Sequence, residues 1–150
     1  MDADYMDMAI AEAKAAARRG EVPVGAVLVD AAGEVIARAG NAPIALDDPT
    51  AHAEILAIRQ ACYDTGNYRL SGATLYVTLE PCTMCAGAIS NARIERVVYA
   101  ASDPKGGAVE SGVSFFDSPA CHHKPKVSSG VLAGQASEML KSFFKARRNK

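Results

Sequence analysis

Residues 74–100 read TLYVTLEPCTMCAGAISNARIERVVYA, and this stretch alternates between strand and helix patterns. Residues 74–78 form a short apolar run that predicts a buried strand, and residues 97–100 predict another. Between them a helix is predicted from Pro81 to about residue 91, because proline suits the first helical position, where its missing N–H had no intrahelical partner. Such alternation is typical of an α/β domain in which helices cover a sheet.

The rest of the chain extends this pattern in both directions. The other predicted helices cover residues 4–19, 50–65 and 136–148, and the other predicted strands cover residues 24–29, 34–39 and 126–129. Residues 41–49 and 102–125 are rich in proline, glycine or aspartate and are expected to be loops. We therefore expect one domain over residues 1–150, a three-layer α/β/α fold with a mixed, roughly five-stranded central sheet.

The composition indicates a globular protein and not a membrane protein. The chain has 150 residues and 49% hydrophobic content, which suits a single globular domain that needs no cross-links. It contains no apolar run long enough to cross a membrane, and its first residues lack the pattern of a secretory signal. We therefore expect a cytoplasmic protein without membrane contact, whose four cysteines bind metal or pack in the core rather than form disulfides.

Two short segments carry metal-binding residue types. The first is Thr50-Ala51-His52-Ala53-Glu54 and the second is Glu80-Pro81-Cys82-Thr83-Met84-Cys85. Cys82 and Cys85 are three residues apart, so on a helix they lie on one face and can bind one ion. Helix N-termini favour thiolates, and zinc prefers sulfur and imidazole ligands in a tetrahedron. The pattern predicts one Zn²⁺ per subunit, held by His52, Cys82 and Cys85.

The number of ligands separates catalytic from structural zinc. Structural sites use four protein ligands, whereas catalytic sites usually use three and keep a position for water. Cys62 falls on the apolar face of its predicted helix and is expected to be a core residue. Cys121, beside His122 and His123, offers an alternative second metal site, but no fourth ligand is near in sequence. The three-ligand set therefore favours catalysis.

Glu54 follows His52 by two residues, so both side chains reach one cleft only from the first turn of a helix. Without the zinc ligands, the simplest interpretation of Glu54 is an acidic residue that the helix dipole favours at the start of a helix. Beside a three-ligand zinc, a carboxylate that does not bind the metal is what proton transfer from activated water requires. The HxE segment followed by PCxxC is the pattern of zinc-dependent deaminases, in which that glutamate moves protons.

Over nearly its whole length the sequence resembles the bacterial tRNA-specific adenosine deaminases. The matching stretches are residues 21–27, 48–54, 67–70, 75–89, 93–94, 97–99 and 143–144 with the basic residues that follow. The resemblance implies the cytidine deaminase-like fold and a homodimer that takes an adenosine out of a tRNA anticodon loop and converts it to inosine at the wobble position. The chain departs from the family at His122-His123 and over residues 109–119, which leaves the contacts of that loop open.

The resemblance also implies which residues bind the substrate. Asn41 and the Ala53 backbone would address the purine, Val24 would line the pocket, and Asp103 would lie in a loop that touches the RNA. Each has a plainer alternative. Asn41 can be an ordinary turn residue, Asp103 can start a turn before Pro104, and Val24 is a core residue in any interpretation.

Charge is distributed unevenly although the net charge is only −1. Residues 1–50 carry 9 acidic and 4 basic side chains, and residues 101–150 carry 4 acidic and 8 basic ones. The last ten residues contain no acid and five basic residues: Lys141, Lys145, Arg147, Arg148 and Lys150. A helix cannot bury adjacent Phe143 and Phe144 on one stripe, so one is free for other contacts. Candidate RNA contacts are Lys105, Phe144, Lys145, Arg147 and Arg148, the alternative being a solvated helix end.

Three functions remain in comparison. The favoured one is zinc-dependent deamination of adenosine in a tRNA anticodon stem-loop. The second is deamination of a free base or nucleoside such as guanine, cytosine or cytidine, by the same zinc chemistry. The third is a non-catalytic, zinc-stabilised binding module, which would need a fourth protein ligand that the two motifs do not offer.

Overall fold

A five-stranded mixed sheet lies between two layers of helices in the computed structural model, which describes residues 1–148. The helices are α1 (Asp2–Arg18), α2 (Pro43–Leu46), α3 (Ala53–Thr65), α4 (Thr83–Asn91) and α5 (Ala133–Arg148), with a short 3₁₀ turn at Phe115–Asp117. The strands are β1 (Gly25–Val29), β2 (Val35–Gly40), β3 (Thr74–Leu79), β4 (Arg96–Ala101) and β5 (Lys126–Ser129). Among these helices none has the length and apolarity that crossing a bilayer requires.

The sheet has the strand order β2-β1-β3-β4-β5. β1 pairs antiparallel with both β2 and β3, while β3, β4 and β5 run parallel to one another. The first half is therefore a hairpin joined to a third strand, and the second half consists of strand–helix–strand units, as residues 74–100 predict. The expected mixed, five-stranded α/β/α architecture is confirmed.

Each face of the sheet has its own apolar core. One core joins α3 and α4 to the sheet through residues such as Ala57, Leu75 and Ile89. The other joins α1 and α5 through residues such as Met6 and Val98. α1 approaches the sheet so closely that residue 25 must be glycine, because a Cβ at Gly25 would lie 1.9 Å from the carbonyl oxygen of Ala9. Burial on both faces explains why the central strands are continuous apolar runs.

All four predicted helix starts differ from the structure by two or three residues, and the corrections at α3 and α4 matter for the site. α4 begins at Thr83 rather than at Pro81, because Cys82 is extended (φ −75°, ψ 177°) and serves as the N-cap. α3 begins at Ala53 rather than at residue 50, because Asp48 binds the backbone N–H and the hydroxyl of Thr50 in a turn and His52 is extended. His52 and Cys82 therefore occupy equivalent N-cap positions.

The expected loop at residues 41–49 contains a short helix, α2, so the prediction of a loop throughout is wrong. Pro43 stands in its first turn, where proline is favoured. The buried carboxylate of Glu21, distant in sequence, accepts hydrogen bonds from the N–H groups of Ile44 and Ala45. These bonds satisfy N–H donors at the start of α2 that a four-residue helix cannot pair internally.

Candidate active site

Three ligand atoms converge where α3 and α4 begin. His52 Nδ1 lies 3.6 Å from Cys82 Sγ and 3.5 Å from Cys85 Sγ, and the three atoms all lie within 4.8 Å of one another. In a tetrahedral zinc site with Zn–S of about 2.3 Å and Zn–N of about 2.0 Å, a sulfur and a nitrogen ligand are about 3.5 Å apart. The predicted ligands therefore have the spacing that a zinc ion needs.

The protonation chemistry of the two thiols also fits a divalent cation. A hydrogen bond from Cys85, and a further one with His52, lowers the pKa of Cys82 to about 4. The same bond to Cys82, together with burial, raises the pKa of Cys85 far above its usual range. The opposite directions of these two pKa shifts mean that each thiol opposes ionisation of the other. A zinc ion binds both as thiolates, so its double charge removes the conflict between them.

Cys121, His122 and His123 do not form a second metal site. Within residues 1–148 the only group of three metal-ligating side chains at such spacing is that of His52, Cys82 and Cys85. Cys121 Sγ instead donates to the carbonyl oxygen of His123, and the His123 ring lies 2.9 Å from the carbonyl oxygen of Ile94. Cys62 packs against the apolar core, as predicted.

Glu54 lies in the first turn of α3, next to the ligand cluster, and its side chain is only 4% exposed. Burial raises the pKa of this carboxyl group to about 7. A group with such a pKa both accepts and releases protons near neutral pH, as a proton shuttle must. His52 and Glu54 are two positions apart in the chain. They line one cavity because His52 is extended and Glu54 lies in the first turn of the helix.

This cavity has a volume of about 290 Å³ and opens at the end of the sheet where β2 and β3 finish and β1 starts. Its size suits a single planar base rather than a large ligand. Apolar side chains and the metal-site residues line it together. The lining residues are Val22, Val24, Asn41, Pro43, His52, Glu54, Leu79, Glu80, Cys82, Asp103 and Gly106.

Asn41 is held by the start of α3. Its Oδ1 accepts a hydrogen bond of 2.8 Å from the backbone N–H of Ala53, and its side chain is almost buried. This bond fixes the orientation of the amide, so its NH₂ group remains for a ligand in the cavity. The Ala53 backbone was expected to address a purine, and its N–H is bound to Asn41, so the two residues predicted to bind the base are joined by a hydrogen bond.

Asp103 starts a turn, which is the plainer of the two interpretations that the sequence left open, and its contact with RNA stays a prediction. Its Oδ1 accepts hydrogen bonds from the N–H groups of Lys105 and Gly106, which is the geometry of a turn starter. The same residue lines the cavity. Lys105 is exposed in the adjoining turn.

The basic end of α5 is only partly available for other contacts. Arg147 donates a 2.7 Å hydrogen bond to the carbonyl oxygen of Gly20, and its guanidinium lies 4.8 Å from the ring centre of Phe143. Lys145 and Arg148 are exposed, and Phe144 is 42% exposed whereas Phe143 is half-buried. Lys150 lies outside the described residues. Arg147 thus has a role within the fold, whereas Lys141, Lys145 and Arg148 are exposed and form no salt bridge among the described residues.

Two buried carboxylates of the site were not singled out from the sequence. Glu21 binds the start of α2, and Glu80 binds backbone N–H groups between residues 103 and 111. Burial raises the pKa of Glu80, but these donors outweigh it and keep the pKa below its usual value. The one signal in the sequence is that each acid adjoins an apolar stretch that ends at the cavity.

Known proteins are similar to this chain in sequence and in fold. Residues 1–101 match the family described as the cytidine and deoxycytidylate deaminase zinc-binding region. The chain is 59% identical to a tRNA-specific adenosine deaminase of Agrobacterium fabrum, over 96% of this chain and 94% of the relative. It is 52% identical to the corresponding protein of Haemophilus influenzae, over 98% of this chain and 85% of the relative.

A comparison with solved structures leads to the same kind of protein. One, from a study of A-to-I editing by tRNA:A34 deaminases at the wobble position of transfer RNA, superposes with a TM-score of 0.90 at 60% identity. The match covers 91% of this chain and 99% of that one. A guanine deaminase from Nitrosomonas europaea superposes with a TM-score of 0.82, covering 94% of this chain and 83% of that one. At 22% identity it shows a common fold only.

The ligand geometry, the zinc-binding family match and the full-length identity agree with one another. The chain belongs to the tRNA-specific adenosine deaminase family, a group of zinc-dependent deaminases.

Proposed function

We propose that this chain, as a single domain, hydrolyses adenosine to inosine at the wobble position of a tRNA anticodon. The observation that carries the proposal is 59% identity over almost the full length to a tRNA-specific adenosine deaminase. The site supports the same chemistry, since three zinc ligands and a buried carboxylic acid share a base-sized cavity. In the overall reaction water adds at C6 of the purine and ammonia leaves, so that inosine and ammonia are the products.

The chain's own residues would divide this work as follows. His52, Cys82 and Cys85 would hold a zinc ion, which would supply the Lewis acidity that lowers the pKa of water to about 7. Glu54 takes a proton from the attacking water and delivers protons to the purine and to the leaving amine. Asn41, oriented by the Ala53 N–H, offers its amide NH₂ to an acceptor of the base. Val24 lines the cavity and would pack on the base.

The RNA around the target base would contact the surface near the cavity. Asp103 and Lys105 belong to one turn beside the cavity, and Lys145 and Arg148 are exposed cations of α5. Cations bind phosphate groups without reading sequence, so they would position the stem-loop while the cavity selects the base. We expect the enzyme to act in the cytoplasm, where its substrate is found.

A homodimer is part of the proposal. The family resemblance implies it, and large apolar side chains remain exposed on the same side as the site helices, with Tyr63 of α3 86% exposed and Met84 of α4 37% exposed. Light scattering of the purified protein should give about twice the 15.7 kDa mass of one chain. A mass of one chain at micromolar concentration would contradict this part alone.

Deamination of a free base is the second candidate, because a guanine deaminase has the same fold. It is disfavoured by 22% identity to that protein against 59% to a tRNA-specific deaminase. A non-catalytic zinc module is disfavoured because the cluster has three protein ligands, not four, and opens into a cavity that contains a buried acid.

One assay separates these functions. Inosine formation is measured on an anticodon stem-loop with adenosine at the wobble position, on the same stem-loop with that adenosine moved by one position, and on free adenosine, cytidine and guanine. We expect inosine from the first substrate only. Conversion of a free base with no reaction on RNA would support the second candidate, and no reaction by the zinc-loaded protein on any substrate would support a binding module.

A further inference from the structure

Glu80 is a buried acid that the proposed chemistry does not use. It follows β3 directly and is only 2% exposed. Its Oε1 accepts hydrogen bonds from the Asp103 N–H (3.0 Å) and the Ser111 hydroxyl (2.8 Å). Its Oε2 accepts three more, from the N–H groups of Val109 (3.1 Å), Glu110 (2.9 Å) and Ser111 (2.8 Å). One carboxylate thus binds both ends of the segment 103–111.

This segment is wrapped tightly around the carboxylate. A Cβ at Gly107 would lie 2.4 Å from Cδ of Glu80 and 2.6 Å from the carbonyl oxygen of Asp103, which is closer than real contacts allow. The Gly107 N–H also donates to that Asp103 carbonyl oxygen, at 2.8 Å. The absence of a side chain at residue 107 is therefore a requirement of the wrapped conformation, independent of the hydrogen bonds that Glu80 accepts.

The wrapped segment forms part of the cavity. Asp103 and Gly106 of this segment line the cavity. Cys82, two residues after Glu80 in the chain, lines it as well. A buried charge is stable only where dipoles or opposite charges surround it, and here N–H and O–H donors supply that environment. Among the described residues no lysine or arginine forms a salt bridge with Glu80.

We propose that Glu80 is a positioning residue for substrate binding: it holds residues 103–111 as the wall of the cavity, so that Asp103 and Gly106 meet the nucleotide that carries the target base. The inference rests on the proposed function, because the nucleotide is the substrate named there. Glu80 also lines the cavity, but both of its carboxylate oxygens are engaged by donors of residues 103–111, so its action is assigned to this loop.

The expected loss of activity in Glu80 variants depends on how many hydrogen-bond donors lose their acceptor. Glu80→Ala leaves five hydrogen-bond donors without their partner, whereas Glu80→Gln keeps one acceptor oxygen and turns an NH₂ group toward N–H donors. A displacement of about 1 Å in a positioning element can lower a rate by about 100-fold. We expect kcat/KM on the stem-loop to fall about 100-fold in Glu80→Ala and less in Glu80→Gln. Most of the loss should be in KM, because Glu54 and the zinc ligands keep their positions.

Hydrogen exchange of the zinc-loaded, full-length protein tests the loop directly. We expect faster exchange at the amides of residues 103–111 in both Glu80 variants, with unchanged exchange in α3 and α4 and unchanged zinc content. Gly107→Ala disrupts the same contact from the loop, because its Cβ would clash with the Glu80 carboxyl group. It should therefore give the same faster exchange in residues 103–111 with Glu80 intact. Asp117→Asn serves as the matched control, since it removes an exposed acid that pairs with Lys124 outside the segment.

The outcomes separate the inference from the proposed function. Unchanged exchange in residues 103–111 together with an unchanged KM in Glu80→Gln would overturn the inference. Loss of zinc, or faster exchange throughout α3 and α4, would also overturn it by making Glu80 a support of the metal site. If the parent forms no inosine on any RNA, the proposed function fails, while the exchange result still reports whether Glu80 holds the wall.

Discussion

The cavity and the C-terminal helix are both proposed to contact one substrate, yet they are built differently. At the cavity His52 and Cys82 cap helices, Glu54 lies in a first turn, and the backbone fixes where each side chain points. In α5 only Ala136 is buried, and the cations at its end extend from an exposed surface. Groups of the first kind are in place before substrate arrives, whereas groups of the second kind adapt on binding. Changes at the cavity should therefore affect chemistry by orders of magnitude, and changes on α5 should affect affinity by small steps.

The largest effect is expected from the ligand cluster. Cys85→Ala removes a fully buried sulfur ligand, so the protein should lose most of its zinc and with it all measurable inosine formation. Elemental analysis of the purified protein should give about one zinc per chain in the parent, as a three-ligand catalytic site requires.

Cys62→Ala is the matched control, because it removes a cysteine of the core that is not near the cluster. It should retain zinc and activity. Full zinc content in both Cys85→Ala and Cys82→Ala would contradict the ligand assignment.

The next effect is expected from Glu54. Glu54→Gln keeps the shape of the side chain but cannot accept a proton, so zinc content and fold should be retained while kcat falls. General acid–base catalysis typically contributes about 10²- to 10⁴-fold, and a residue that acts more than once per turnover should be near the upper value.

Single-turnover rates at saturating stem-loop measure this loss without interference from binding. Glu34→Gln, a change of an exposed glutamate in the turn before β2, provides the comparison. A rate within tenfold of the parent would show that Glu54 is only a helix-start acid.

Asn41 should give an intermediate effect. Asn41→Ala removes both the bond to the Ala53 N–H and the NH₂ group proposed to bind the base. An unsatisfied buried partner costs about 1–3 kcal/mol, which corresponds to a loss of about 5- to 150-fold in kcat/KM.

Asn41→Asp separates the two roles of this side chain. The carboxylate keeps an acceptor for the Ala53 N–H but has no NH₂ group. If both variants lose kcat/KM with unchanged zinc, Asn41 addresses the base. If Asn41→Asp matches the parent, the residue only closes the turn after β2.

The zinc cluster could be predicted because ligand chemistry and local spacing define it. Cys82 and Cys85 are three residues apart, and the helix start after Pro81 limits where their side chains point even though the exact first residue was wrong. Two strands of the sheet, β3 and β4, were also evident, since apolar runs buried on both faces have a simple pattern.

The second layer of the site could not be predicted because its partners are backbone groups. Glu80 binds N–H donors that are 23–31 residues away in sequence, and nothing in the amino-acid types marks which amides converge on it. The same holds for Glu21, whose partners at the start of α2 are 23 and 24 residues away. The contact of Arg147 with Gly20, 127 residues away, likewise exists only in the folded chain. Such interactions follow from topology and not from local pattern.

The smallest effect is expected from α5, and the structure divides its cations into two groups. Lys141, Lys145 and Arg148 are exposed and form no salt bridge among the described residues. Arg147 is also exposed, but its guanidinium donates to the Gly20 carbonyl oxygen after the end of α1. Each phosphate contact that is lost should flatten the slope of log K against log salt by about 0.7 to 0.9. Replacing Lys145 and Arg148 with alanine should therefore weaken stem-loop binding and flatten the slope by up to about twice that amount, with kcat at saturating RNA nearly unchanged.

Two control variants make this result specific. A variant with Arg69→Ala and Lys126→Ala removes the same charge from exposed positions outside α5, one in the loop before β3 and one in β5, and it should change the slope less. Arg147→Ala should lower the Tm slightly and leave the slope nearly unchanged, because its guanidinium is engaged within the fold. Fluorescence anisotropy with a labelled stem-loop over a salt series measures all three variants. Equal slopes in the Lys145/Arg148 variant and the parent would mean that α5 ends as a solvated helix, and RNA binding would then depend on the surface around the cavity.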